Sequence, residues 1–419
     1  MIKIHKAMKV RIYPNLKQQE QINRTLGSCH FLFNQMLAER KKVYDELKED
    51  KRKLYEYEYK SEKDYKKEFE WLNEVDSTAL QQSRINLSNA YSNFFKSLKG
   101  KRKSVTGFPK FKKKKMGCSY RSPQNGGFIK IDFENSKVKL PKLGWINFRD
   151  GNRKYEGRII NATVSRSSSG KYFVSVLYEV ETDVKQSEIP NPKIKGLDMS
   201  MDCFYVDELG NSPDFKRQFR VTEKQLAKQQ KILSRKKKGS NNFRRQCLKV
   251  ARVHEKISNR RKDFTQKFST KLVEENDMIV VENLSLKGMS QALNLGKSVM
   301  DLGYSNFINQ LEYKTQWVGK KLVKANKWFA SSKTCSFCGF VKKDLMLHER
   351  EWDCPNCGEH LHRDKNAAIN LCKIGKGLPE STLVERQTAV ELTLASLKSH
   401  TSLKQESLPL GRVAQKIIN

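Results

Sequence analysis

Four cysteines fall in two C-x-x-C pairs, Cys335/Cys338 and Cys354/Cys357, with 15 residues between the pairs. In a reducing compartment this spacing reads as metal ligation rather than disulfide pairing. Four thiolates complete the tetrahedral coordination of a zinc ion, so the expected role is structural: one Zn2+, Zn–S near ~2.3 Å, no open position. Gly339 and Gly358 follow the pairs and tolerate the tight backbone of a knuckle. His348, His360 and His362 lie nearby and read as surface or nucleic-acid-contacting residues rather than ligands. Cys29, Cys118, Cys203, Cys247 and Cys372 are scattered and read as ordinary thiols.

Three carboxylates form a second group. Asp198 ends the apolar run "IKGLD", Glu282 ends "DMIVVE", and Asp364 opens the helical stretch "DKNAAINL", for which it is also an N-cap candidate. Taken singly, each is a turn or cap residue. In strand, strand, helix order they resemble the way ribonuclease-H-like nucleases gather three acids at one sheet edge. Such a cluster repels itself unless cations neutralise it. Two Mg2+ ions roughly 3.5–4 Å apart would do so, one activating water and the other stabilising the leaving oxygen of a phosphodiester. Asp202, Asp207 and Asp301 are weaker candidates, because none so clearly ends an apolar strand.

The elements that must position these groups follow from periodicity. "MKVRIY" alternates as a strand up to Pro14, and Leu16, Ile22, Leu26, Cys29, Phe33, Met36 and Leu37 recur at helical spacing. Residues 38–70 are highly charged and read as an exposed helical hairpin or arm. A second helix fits 77–98, with Ser77 as N-cap. Between 127 and 182 the runs "FIKIDF", "KVKLPKLGWINF", "RIINATVSR" and "GKYFVSVLYEV" read as strands that close a small antiparallel barrel with the first. "QSEIPNPK" reads as a linker. Apolar Val250, Val253, Ile257, Phe264, Phe268 and Leu272 predict a long amphipathic helix. "NFINQLEYKTQWVGKKL" is a further helix, "LVKANKWF" a strand, and the last residues a tail.

Charge restricts the partner. The 419 residues carry 82 Lys+Arg against 46 Asp+Glu, a formal net charge of +36 that selects polyanions. Residues 101–115 hold eight Lys/Arg and no acid, with Phe108 and Phe111 interleaved as stacking surfaces. Residues 216–271 hold 20 Lys/Arg against three acids. Lys101, Arg102, Lys103, Lys110, Lys112, Lys113, Arg244, Arg245 and Arg252 are therefore candidate nucleic-acid contacts. No apolar run reaches the roughly 18 residues of a spanning helix, and "MIKIHKAMKVRIYP" has no signal-peptide core, so no membrane is expected and the reading is cytoplasmic, in bacterial cytosol or nucleoid.

"GLDMSMD", "VVENLSL" and "HRDKNAAINL", with "SSKTCSFCG" and "CPNCG" between the last two, resemble the split RuvC motifs and zinc ribbon of TnpB, the transposon-encoded RNA-guided DNA endonuclease family related to compact type V CRISPR effectors. "KAMKVRIYPNLKQQEQINRTLGSCHFLFNQML" and "GFPKFKKKK" resemble it as well. The resemblance implies a multidomain α+β chain. Residues 1–15 and 100–185 would form a wedge-like β-barrel, 16–99 an inserted helical recognition domain and 186–192 a linker. Residues 193–330 and 359–375 would be a RuvC-like α/β nuclease, 331–358 the zinc ribbon and 376–419 a flexible tail. It implies catalytic roles for Asp198, Glu282 and Asp364, a guide RNA from a transposon end, and double-stranded DNA bearing a short adjacent motif. Gln81, Gln82 and Tyr120 lie in or beside the segments the family uses for that motif, and amides can read adenine edges. One departure is local: where the family has G-I-D-L-G, Met199, Ser200 and Met201 follow Asp198. A compact type V CRISPR effector has the same chemistry, and a non-cleaving guide-dependent DNA-binding regulator is the alternative of another class.

Overall fold

A computed structural model describes residues 2–102, 105–113, 118–149, 155–183, 190–285, 288–289, 296–346 and 348–377. Lys103, most of the expected linker and the expected tail beyond residue 377 lie outside the described residues. The chain is α+β and divides into two compact units, Met1–Lys185 with Thr222–Asn259, and Gln186–Val221 with Arg260–Asn419. Residues 222–259 thus pack with the N-terminal unit, although their position in sequence reads with the nuclease portion.

The first unit is built on a seven-stranded antiparallel sheet. Its strands are β1 (Ile2–Tyr13), β2 (Cys118–Pro123), β3 (Lys130–Asp132), β4 (Lys137–Leu140), β5 (Gly144–Arg149), β6 (Arg158–Arg166) and β7 (Tyr172–Thr182), in the order β2-β6-β7-β1-β5-β4-β3. β1 is the spine, paired with β7 from Ile2↔Thr182 to Ile12↔Tyr172. Alternation explains its face: Ile4, Met8, Val10 and Ile12 are buried while Lys9, Arg11 and Tyr13 point outward. The expected barrel is not closed. β5 meets β1 over only Arg11–Tyr13, and three-residue β3 hydrogen-bonds to β4 alone, so the edge strands β2 and β3 do not pair. Sequence reading also missed β2, which follows the basic run directly.

A helical insertion separates β1 from β2: α1 (Leu16–Leu47), α2 (Lys51–Glu56), α3 (Glu62–Glu68) and α4 (Ser77–Leu98). Pro14 ends the strand, and Asn15 and Gln18 form a capping box that starts α1. α1 continues far into the charged stretch expected to be an exposed helical hairpin or arm. Asp76, not Ser77, caps α4: its carboxylate accepts from the Thr78 N–H at 3.0 Å. Ile22, Leu26, Cys29, Leu32, Phe33 and Met36 of α1 and Ala79, Leu80 and Leu87 of α4 join the sheet in one core.

In the second unit a four-stranded sheet has the order β11-β10-β8-β9. β8 (Ile194–Asp198), β10 (Met278–Val281) and β11 (Lys321–Lys324) run parallel, and β9 (Val206–Asp207) is antiparallel to β8. The strand predicted as "LVKANKWF" stops at Lys324. The two basic helices are α5 (Gln218–Ser234) and α6 (Asn241–Glu275), where sequence periodicity suggested one; only residues 218–221 and 260–275 of them belong to this unit. α7 (Gly296–Leu302) and α8 (Tyr304–Trp317) follow. One sheet face, with Leu197, Ile279 and Val281, packs on Phe204, Leu272, Val273, Phe307 and Leu311. The other face takes α9 (Arg363–Gly375) through Val280 and Leu371. A hairpin of β12 (Glu351–Asp353) and β13 (His360–His362) carries the second cysteine pair, so residues 360–362 go with the ribbon.

Candidate active site

Asp198 is the last residue of β8, Glu282 the first after β10, and Asp364 lies in the first turn of α9. Because β8 and β10 run parallel in register, Leu197 opposite Val281, both acids emerge at the same sheet edge. Asp364 is not the N-cap; His362 is, accepting from the Lys365 N–H at 3.5 Å. A carboxylate in the first turn still suits the positive end of the helix dipole.

Proximity shows in the electrostatics. Burial raises the Asp198 carboxyl well above the ordinary carboxylate range, and the charges of Glu282 and Asp364 raise it further. Glu282 is also raised by burial, against a hydrogen bond from the Ser331 hydroxyl and the charge of Arg363. Two buried acids that resist ionising beside the charge of Asp364 favour a cation among them. Their oxygens are not as tightly gathered as the cysteine sulfurs, which are the one group among the described residues whose ligand atoms all lie within 4.8 Å of one another.

Basic and polar neighbours complete the edge, and sequence reading missed them. Arg350 reaches both Asp364 oxygens at 3.3 Å and Asp202 at 3.4 Å, while Arg217 meets Asp202 at 3.2 Å. Asp202 is therefore a charge partner beside the site. Asp207 and Asp301 are structural: Asp207 pairs with Lys195 at 2.8 Å, and buried Asp301 accepts from the Phe219 N–H at 2.9 Å and from Arg261 at 3.0 Å.

The segment after Asp198, where the glycine of the related motif is absent, is held by other means. Phe204 adopts φ +79, a left-handed conformation costly for a bulky residue. The Tyr304 hydroxyl lies against the carbonyl oxygens of Ser200 and Phe204, and the Ser200 N–H bonds Phe204 O at 3.1 Å. Phe204 itself is fully buried among Phe215, Phe264 and Phe307.

The four-cysteine ribbon has two matching knuckles. Gly339 N–H bonds Cys335 O at 3.0 Å and Gly358 N–H bonds Cys354 O at 2.8 Å, with φ of +79 and +76 at the two glycines. Cys338 and Cys354 Sγ are 3.5 Å apart, and Cys335 and Cys357 Sγ 3.8 Å. A tetrahedron with Zn–S of ~2.3 Å has S···S edges of about 3.8 Å, so the donors fit a structural metal such as zinc. None of the three nearby histidines joins the group: His348 is exposed, His360 pairs with Asp353 at 2.7 Å, and His362 caps α9. Two asparagines one turn apart fasten the ribbon's entry to α9. Asn366 accepts from the Ser336 N–H at 2.8 Å and donates to Thr334 O at 2.7 Å; Asn370 donates to Ser331 O at 2.9 Å.

Among the predicted nucleic-acid contacts, Lys101, Arg102, Lys110, Lys113, Arg244, Arg245 and Arg252 are exposed. Lys112 is half-buried, its ammonium 4.2 Å from the Phe33 ring. Phe108 packs edge-on against Tyr91 and Phe94 and so anchors its loop rather than offering a free face, while Phe111 is exposed. Gln82 and Tyr120 are buried, leaving Gln81 half-buried at the surface.

The chain is similar to known proteins in sequence and in fold. A family model described as "Probable transposase" matches residues 175–293, one described as "Cas12f1-like, TNB domain" matches 304–371, and a "Helix-turn-helix domain" matches 1–49. A protein of Streptomyces pristinaespiralis named "Putative RNA-guided DNA endonuclease" is 33% identical over 90% of this chain and 90% of its own. One of Escherichia coli K12, "Putative RNA-guided DNA endonuclease InsQ", is 31% identical over 88% and 92%. A solved Cas12f1–sgRNA–target DNA complex covers 88% of this chain and 99% of its own protein chain, with TM-score 0.54 and 16% identity, a likeness of fold.

Proposed function

The chain belongs to the TnpB family, and from that premise we propose that it is an RNA-guided, magnesium-dependent DNA endonuclease of the RuvC type. One observation carries this reading: Asp198 and Glu282 leave adjacent parallel strands at one sheet edge, where burial and the charges of Glu282 and Asp364 hold the Asp198 carboxyl well above the ordinary carboxylate range. The named relatives support the nuclease class, and a transposon-end guide RNA, a double-stranded target and a short adjacent motif are the partners the reading requires.

When bound, Mg2+ would supply Lewis-acid stabilisation of the phosphoryl oxygens and a water of lowered pKa. Asp198, Glu282 and Asp364 would hold it. Ser331 orients Glu282 by donating to Oε1, and the Asn366 and Asn370 bonds fix the Ser331 segment against the helix that carries Asp364. Arg350 keeps a cation beside Asp364, within reach of a phosphate entering the edge. Exposed Lys and Arg of residues 101–113 and of α6 would neutralise the backbone of guide and target, and the four cysteines would hold one structural Zn2+.

The test is cleavage of guide-matched double-stranded DNA by the purified protein with its co-purified RNA, whose sequence supplies the guide. Asp198→Ala, Glu282→Ala and Asp364→Ala should each abolish cutting while binding survives, because binding depends on base pairing and basic surface. A wild-type protein that binds its matched target and never cuts would establish the non-cleaving regulator instead. Flanking sequences of the RNA, transposon end or repeat, separate the TnpB from the CRISPR context.

A further inference from the structure

A cavity of about 330 Å3 opens directly beside Glu282, walled by residues 282–284 and 325–333. Its size is at the lower end of small-molecule sites. The loop that forms most of it is pinned at both ends to the end of β10. At one end the Ala325 N–H bonds Val281 O at 2.9 Å; at the other the Ser331 hydroxyl bonds Glu282. Between them a turn at Asn326, closed by Trp328 N–H to Asn326 Oδ1 at 3.0 Å and Phe329 N–H to Asn326 O at 3.1 Å, projects Trp328. That indole is 65% exposed, and the Lys327 ammonium stands 4.6 Å from its ring centroid.

We infer that this loop is a nucleotide subsite, in which Trp328 stacks an unpaired base of single-stranded DNA while Lys327 meets the adjoining phosphate. The inference rests on the nuclease reading above and assigns to it a substrate-positioning group. An indole supplies a π-face that accepts any base, which suits an enzyme whose sequence choice comes from pairing elsewhere. A cation beside the ring adds attraction for the backbone that must run past it. Double-pinning matters because a stacking group fixes the scissile phosphate only if its own backbone does not move relative to Glu282.

Two readouts test this. In chelator, so that no chemistry occurs, a short oligodeoxythymidylate should quench a component of tryptophan fluorescence that is missing in Trp328→Phe. In magnesium, Trp328→Ala should raise KM for a single-stranded substrate roughly tenfold with kcat little changed, and Trp328→Phe should restore most of the loss. A substrate with an abasic site at the stacked position should bind wild type as weakly as the alanine variant and be indifferent to the substitution. Equal KM for wild type and Trp328→Ala, or quenching retained in Trp328→Phe, would overturn the subsite. A wild-type protein that cuts nothing would overturn the nuclease reading alone, since the quenching experiment still decides whether Trp328 stacks a base. Zinc content and thermal melting of both variants confirm that each is folded.

Discussion

Gly196 and Ala368 approach so closely that a methyl group on Gly196 would stand 2.2 Å from the Ala368 carbonyl oxygen, and 3.0 Å from the Cys372 N–H nitrogen. Gly196 lies two residues before Asp198 and Ala368 four after Asp364. The distance between two of the proposed catalytic acids is therefore set by strand-to-helix contact at backbone range. At the other end of the helix, Gly375 meets the side-chain methyl groups of Ile194 and Val280, at 2.8 and 2.9 Å for an added Cβ.

Gly196→Ala should lower stability by at least ~2 kcal/mol, because the helix must move off the sheet to admit one methyl group. Cleavage should fall further than stability alone explains. Thermal melting together with single-turnover cutting below the melting range measures both; an alanine variant with wild-type rates would show that helix spacing does not govern the site.

Removal of one thiolate tests the ribbon. Purified wild type should carry about one equivalent of zinc and Cys354→Ala should lose it, with loosening of the small core that Leu345, Trp352 and Leu361 form around Cys335 and Cys354. Metal analysis and the melting profile check this. Unchanged zinc content in the variant would refute the ligand assignment.

Acid stability should depend on Lys195 and Asp207. Burial by itself raises Asp207, but the Lys195 hydrogen bond and the N–H groups of Asn211 and Leu209 outweigh it and hold the carboxyl below its ordinary value. For a depressed acid the stabilisation is fully present above the unfolded pKa, near ~4, and is lost as pH falls through the folded one. Lys195→Met leaves Asp207 and Glu208 without their cation, and should cost on the order of 2–3 kcal/mol at neutral pH, the low end because the ammonium keeps some solvent. Denaturant titrations at pH 7 and pH 3 should show that cost shrinking in acid.

RNA binding should weaken steeply with salt. Each phosphate contacted in a single strand contributes a log–log slope near −0.7, so Arg244→Gln, Arg245→Gln and Arg252→Gln combined should flatten the slope by roughly two if all three touch phosphate. Affinity measured across a salt series decides it, and an unchanged slope removes these residues from the RNA contact.

Local pattern was enough to expect the two cysteine knuckles and to place Asp198 and Glu282 at the ends of strands. Cysteine spacing encodes a knuckle within four residues, and a carboxylate at the end of an apolar run names a strand terminus whatever the strand pairs with. The alternation of β1 and the stripe of α1 were legible for the same reason. What required the tertiary structure were relations between residues far apart in sequence: the open sheet, whose edge strands β2 and β3 do not pair; the burial of Gln82 and Tyr120; and Phe108 as an anchor. The same holds for Arg350 on Asp364, Ser331 on Glu282 and the asparagine pair that ties the ribbon to α9, because a polar side chain's partner is fixed by where the backbone brings it and not by its own neighbours in the chain.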